Sequence, residues 1–284
     1  MKKNIILLLI SFVFINTAHT QNISLSNTEN STVKAAKKNL LDNSTIDIQY
    51  EMTIVNDVNN PEKKKTHIML LQIGNRISKF SDYGLLRIDS MVQEYAKQNR
   101  SSMEVFGSML AMKKSVFALN VFKNYPNDKI TVVDRVPLSG DIKYEEKKIK
   151  PKWEFVEGAM NICGYECKKA ITTFRGRNYT AWYTPKIAIS DGPWKFWGLP
   201  GLILKVTDDK NEYDFECIAI DKQKNKNTIY ITKDCINTTK AKFDETFRNL
   251  NKNPGAFLQA TGRITGSLPD KIKSRPYNPI ELSE

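Results

Sequence analysis

Few side chains in this chain are equipped for acid–base or nucleophilic chemistry. It has two histidines, His19 and His67, and His19 falls in a segment expected to be removed on export. A Ser-His-Asp or Cys-His arrangement would therefore rest on His67 alone, and a metal site with several histidine ligands is excluded. His67 stands between Lys65-Thr66 and Ile68-Met69, where a surface or edge-strand position is expected. Carboxylates offer a second route, with Asp191, Glu166 and Glu216 as candidates, but none is paired at a spacing typical of acid–base work. Glu212, Asp214 and Glu216 alternate with Tyr213, Phe215 and Cys217, which reads as the wet face of a strand. Glycine-rich phosphate loops, zinc-spaced cysteine pairs and metalloprotease motifs do not occur. No metal, cofactor or catalytic residue is expected.

The four cysteines, Cys163, Cys167, Cys217 and Cys235, are an even set of the kind that pairs in an oxidising compartment. Three connectivities are open. Cys163–Cys167 with Cys217–Cys235 is preferred because each closes a local loop, although two cysteines four apart on a straight strand are too distant to bond. Arg175 and Arg177 flank Gly176 at an expected hairpin turn, where guanidinium forks suit a phosphate or carboxylate. Trp182, Tyr183, Trp194, Phe196 and Trp197 crowd beside them. Rings of this kind dominate both cores and recognition surfaces, and Trp182, Trp194 and Trp197 are candidate ligand- or partner-binding residues. In an extended segment Trp194 and Phe196 would face one way and Trp197 the other.

Residues 192–206 run Gly-Pro-Trp-Lys-Phe-Trp-Gly-Leu-Pro-Gly-Leu-Ile-Leu-Lys-Val. Gly198, Pro200 and Gly201 are read as a structural turn. Leu199-Pro200-Gly201-Leu202 has the form of a type II turn, with proline presetting φ and glycine taking the positive φ that follows. The hexamer Gly198–Ile203 resembles the signature of the GLPGLI family. The resemblance extends through Gly164–Ala170, Phe174–Arg177 and Ala181–Thr184 and returns at Tyr277–Leu282. It implies an exported, single-domain protein of Gram-negative bacteria with unknown activity. Cys163 is not part of the family pattern, and residues 85–150 carry no diagnostic motif.

Export is also legible in the first twenty residues. Lys2 and Lys3, the apolar stretch from Ile5 to Ile15 and Ala18-His19-Thr20 make a signal peptide spanning residues 1–20. The chain carries a formal charge of +12, or +10 without Lys2 and Lys3 (12 − 2). In the periplasm, or if secreted or displayed at the cell surface, such charge attracts lipid head groups, lipopolysaccharide phosphates or acidic polysaccharide. Lys63-Lys64-Lys65 and Lys222–Lys226 also read as solvated loops, and no nucleic-acid-binding motif accompanies them. No later segment is apolar enough for a transmembrane helix.

Elements to position these side chains follow from periodicity. Residues 21–43 read as a flexible leader and 44–284 as a single β-rich domain with an extended C-terminal tail. Ile46, Ile48, Tyr50, Met52 and Ile54 alternate with polar residues, as on a half-buried strand. Further strands are expected at 67–73, 76–81, 116–123, 129–134, 140–146, 153–157, 166–174, 178–184, 202–207, 212–220 and 227–232. Helices are expected in 86–112, broken near Asn99–Ser102, and in 239–250, stopped by Pro254-Gly255. The fold class is mainly antiparallel β with one or two packed helices (α+β), in one strongly curved sheet or half-barrel. Three functions remain open. The first is non-enzymatic binding of a hydrophobic or anionic ligand or partner, such as an amphiphile, in support of envelope transport or assembly. The others are a carboxylate-dependent hydrolase or transferase, and a scaffold docking another envelope protein.

Overall fold

Period-two alternation commits most of the chain to one sheet. The computed structural model describes residues 32–111, 117–137, 139–222, 227–261 and 273–283; the expected signal peptide, the first part of the expected leader and Pro269 lie outside them. Strand β1 (Lys38–Val55) contains the alternating run, and Ile46, Ile48, Tyr50, Met52 and Ile54 are all buried. It begins six residues before 44, because Lys38–Asn43 pair with β12 (Thr228–Thr232). The other strands are β2 (Lys64–Gly74), β3 (Ser78–Asp82), β4 (Asn120–Lys123), β5 (Lys129–Val136), β6 (Gly140–Lys147), β7 (Glu154–Ile162), β8 (Tyr165–Phe174), β9 (Arg177–Thr184), β10 (Leu202–Asp208), β11 (Tyr213–Asp221) and β13 (Ile236–Asn237).

Among the described residues these strands form a sheet of 13 strands ordered β13-β6-β5-β4-β3-β2-β1-β11-β10-β9-β8-β7, with β12 paired to β1. The sheet is not closed. Each pairing is antiparallel except that of β13 with β6, a two-residue strand too short to show periodicity in sequence. Strand β1 bridges the halves, pairing with β2 on one side and β11 on the other.

The first helical region holds α1 (Tyr83–Lys97) and α2 (Ser102–Ala111). Asp82 caps α1 by accepting from the Leu85 amide at 3.0 Å, and Asn99 at φ 53° lies in the break between the helices. The second holds α3 (Lys240–Lys252), whose Phe243 and Leu250 are buried. Helix α3 ends at Lys252, just before Pro254 as expected, and Pro254 also opens a separate short helix, α4 (Pro254–Ala260), with Asn253 Oδ1 accepting from the Ala256 amide at 3.1 Å. At a first helical position the missing proline N–H costs nothing. Among the described residues no helix is long and apolar enough to cross a membrane. Tail residues 273–279 have no regular secondary structure, as their prolines require.

Candidate functional site

The aromatic signature lies in the connection from β9 to β10 and is held from below by buried cations. Phe196 is fully buried and makes edge or tilted contacts with Phe174, Tyr179, Trp194, Phe215 and Trp153 at centroid distances of 4.7 to 6.4 Å. Trp194, at φ 48°, is only 1% exposed; it is a core residue and offers no ring to a ligand. Lys195 is also buried, donating to the Tyr144 hydroxyl at 3.0 Å and pairing with Glu146 at 2.6 Å and with Glu281. Lys123, on β4, pairs with Asp191 and donates to the Gly192 carbonyl. Charges this deep persist only when paired, so both lysines fix the loop, and Asp191 is committed to Lys123. No periodicity marks a lysine for burial, which is why Lys123 and Lys195 escape a sequence reading.

The turn at Pro200 differs from a type II turn. The Gly201 amide donates to the Leu199 carbonyl at 2.8 Å, the i→i+2 bond of a γ-turn, while the Leu202 amide bonds to the Ile187 carbonyl. Gly201 has φ 148°, and a Cβ there would lie 2.2 Å from the Thr184 carbonyl oxygen. Glycine is required by close approach to the end of β9, a constraint set by the fold.

Arg175 and Arg177 sit at the β8–β9 turn, yet both point into the protein and hold the tail. Arg177 Nη1 donates to Asp208 at 2.8 Å and Glu212 at 2.6 Å, Nη2 to the Asn278 side chain at 2.6 Å and the Pro279 carbonyl at 2.9 Å, and Nε to the Ile280 carbonyl at 3.1 Å. All five N–H groups of a guanidinium are thereby used. Arg175 pairs with Glu146 at 2.9 Å and Glu281 at 3.6 Å. Burial would raise the Glu281 carboxyl, but Lys195, Lys240 and Arg175 hold it below its usual range. These arginines do bind carboxylates, and the carboxylates belong to the chain itself.

The remaining candidates are dispersed. His67 is buried on β2, an interior strand, and not at an edge; its Nδ1 lies 3.7 Å from Asp82 Oδ2 and its ring 5.6 Å from that of Phe117. Glu216 on β11 pairs with Lys205 on β10, and Glu166 is exposed on β8. Asp191, Glu166 and Glu216 thus do not converge. All four cysteines are free thiols. The preferred local pairings do not match the geometry: Cys163 lies in the β7–β8 turn while Cys167 is opposite Met160 in the ladder. Cys217 belongs to the main core, whereas Cys235 packs against a separate cluster of Ile77, Phe122, Val133, Ile229 and Ile231.

Exposed apolar side chains are spread over the surface, from Leu40 on β1 to Leu282 in the tail, and two of them lie on the edge hairpin. Phe155 on β7 is 62% exposed and Met160 38%. A shallow groove of about 320 Å³ is lined by Phe155, Val156, Ala159 and Tyr183, with Lys168, Lys169, Glu157 and Glu166 around it. The groove exists because β7 is irregular between Val156 and Ala159, where Gly158 takes φ 151°. A Cβ on Gly158 would lie 3.1 Å from both the Trp182 ring and the Lys169 stem. Trp182 is half-buried, with the Lys169 ammonium 5.7 Å from its ring centroid. Trp197 forms a second half-buried patch: Lys148 lies 4.3 Å over its ring, its Nε1 donates to the Ile149 carbonyl at 3.2 Å, and the Lys150 side chain crosses Gly198.

Residues 175–205, covering β9, the signature loop and the start of β10, match the model of a family described as "Protein of unknown function (Porph_ging)". That short match is consistent with an uncharacterised bacterial family. No curated protein matches the chain. Two solved structures of PNGF-II, in space groups P21 and C2, are similar over 71% of this chain at 14% identity, with TM-scores of 0.45 and 0.46. The similarity spans 32% of the length of PNGF-II.

Proposed function

We propose that this chain is an exported, non-enzymatic envelope protein that binds a hydrophobic or amphiphilic partner along its β7–β9 edge, in support of envelope transport or assembly. The observation that carries the reading is the apolar groove beside Phe155, bordered by Lys168 and Lys169, while Asp191, Arg175 and Arg177 are consumed by internal pairing. Glu157 and Glu166 balance those lysines locally, so preference for an anionic head rests on the overall charge of +12. The same reading takes the sheet as strongly curved. Supporting this, Cys163 at the β7–β8 turn touches Cys217 on β11, two strands beyond β8's neighbour in the sheet order and just past the end of the β10–β11 ladder, whereas strands spaced about 4.8 Å apart would hold β8 and β11 far apart on a flat sheet.

Titration of the purified mature protein with a fatty acid, an anionic phospholipid and lipid A, following tryptophan emission, tests the reading. Emission should shift at micromolar ligand, and Phe155→Ala should weaken the response several-fold while the protein stays folded. Absence of a shift with all three ligands sinks the carrier reading. The position of the groove on β7, the last strand of the sheet, then favours a scaffold that docks an envelope protein. Such a partner would appear as added mass in a native spectrum of protein taken from the periplasm.

A further inference from the structure

The turn joining β7 to β8 reaches a strand that is not its neighbour. Ile162 pairs with Tyr165, leaving Cys163 and Gly164 as the two central residues, at φ 50° and 78°. Positive φ at both positions is the geometry of a type I′ hairpin turn. Cys163 Sγ lies 3.6 Å from Cys217 Sγ and 3.1 Å from the Cys217 carbonyl oxygen. Room for this contact arises because the β10–β11 ladder runs from Thr207↔Asp214 only to Lys205↔Glu216. Cys217 is the next residue of β11, and the turn occupies the space beside it.

We propose that Cys163 and Cys217 are a redox pair that closes to a disulfide and ties the edge hairpin to β11. A disulfide has its sulfurs about 2.05 Å apart, so closure requires a movement of about 1.5 Å. Both ends have slack to supply it. Cys163 is exposed in a two-residue turn, and the β1–β11 ladder shifts register beside Cys217, between Gln49↔Ala219 and Tyr50↔Cys217. Cys167 is buried on β8, as Cys217 is on β11, and its thiol donates to the Tyr165 carbonyl at 3.4 Å; what singles out Cys217 is its direct sulfur contact with Cys163. Cys235 donates to the Thr232 carbonyl at 3.2 Å within its separate cluster.

The oxidant is an external disulfide, either a small molecule or a thiol oxidase. The exposed Cys163 thiolate attacks one of its sulfurs, forming a mixed disulfide and releasing one thiol. The Cys217 sulfur then attacks the Cys163 sulfur, forming the Cys163–Cys217 bond and releasing the second thiol. Two electrons pass from the cysteine pair to the oxidant, and the two protons leave on the released thiols. Burial and the adjacent Cys163 push the Cys217 thiol up from its ordinary value, consistent with Cys163 making the first attack.

To test this, reduced full-length protein would be incubated in native buffer with oxidised glutathione, denatured without reductant, alkylated and mapped by peptide mass spectrometry. The expected result is one cross-linked pair joining the peptides of Cys163 and Cys217, with Cys167 and Cys235 alkylated. The Cys163→Ser protein, altered only at an exposed turn, should lack that cross-link and show Cys217 alkylated. Four alkylated cysteines, a stable glutathione adduct on Cys163, or a cross-link to Cys167 or Cys235 would each overturn the proposal.

Discussion

Replacing Gly201 with alanine tests whether the signature run is built for structure. At φ 148° an alanine meets backbone strain of about 1–3 kcal/mol. The added Cβ would also lie 2.2 Å from the Thr184 oxygen, 2.7 Å from its carbonyl carbon and 2.9 Å from Pro185 Cα. All three are backbone atoms at the end of β9, so no side chain can swing aside. Relief means separating β10 from β9 where Leu202 pairs with Thr184, next to the fully buried Leu202 and Ile203. Overpacking of this kind adds about 1–3 kcal/mol. The total, about 2–6 kcal/mol, corresponds to a fall in melting temperature of roughly 5–20 °C for a domain of this size. Gly198→Ala is the internal control: its φ is 96°, but its Cβ would meet only the flexible Lys150 side chain, so strain alone applies, about 1–3 kcal/mol. Urea unfolding followed by tryptophan fluorescence would measure both. A Gly201→Ala midpoint equal to wild type, or a larger loss from Gly198→Ala, refutes the reasoning.

Arg177→Ala should cost about 3–5 kcal/mol, because Asp208 and Glu212 lose their buried partner. Arg177→Lys should also loosen the tail, since an ammonium cannot reproduce the five-fold contact; both effects are measured by urea midpoint and by the rate of limited proteolysis within 273–283. Because the Glu281 and Glu212 carboxyls are held below their usual values, the stability they contribute is present above the ordinary glutamate pKa and falls away in acid. Proteolysis of the tail should accelerate as pH drops below about 4.5. Burial lowers Lys79 from 10.5 to about 8, with its ammonium over the rings of Tyr230 and Phe122 at 4.4 and 5.4 Å. A depressed lysine pKa means the unfolded chain binds the extra proton, so its destabilisation is complete below pH 8 and disappears by pH 10.5. Lys79→Met should therefore stabilise the protein at pH 7 by about 1–3 kcal/mol, and by less at pH 10; an advantage unchanged between the two pH values would count against the assignment.

Alternation by itself determined that residues such as Ile46–Ile54 and Tyr213–Cys217 are strands with one buried face, because side-chain direction in a strand follows from position alone. Glycine, proline and asparagine located most turns and the α1–α2 break for the same local reason. The stop of α3 before Pro254 is legible because proline is excluded from a helix interior, whereas the start of α4 at the same residue depends on the Asn253 cap. Partner choice was not legible. Arg175 and Arg177 read as forks for a phosphate or carboxylate at a hairpin turn, and that the groups they hold are internal depends on a tail about a hundred residues further along the chain. Trp194 entered the core while Trp182 and Trp197 stayed half-buried. Lys123 and Lys195 are buried, and Cys163 meets Cys217 in preference to Cys167. Each of these outcomes is a long-range contact, fixed by which strands become neighbours and how the loops cross them, and that information is carried by tertiary packing, to which local sequence pattern is blind.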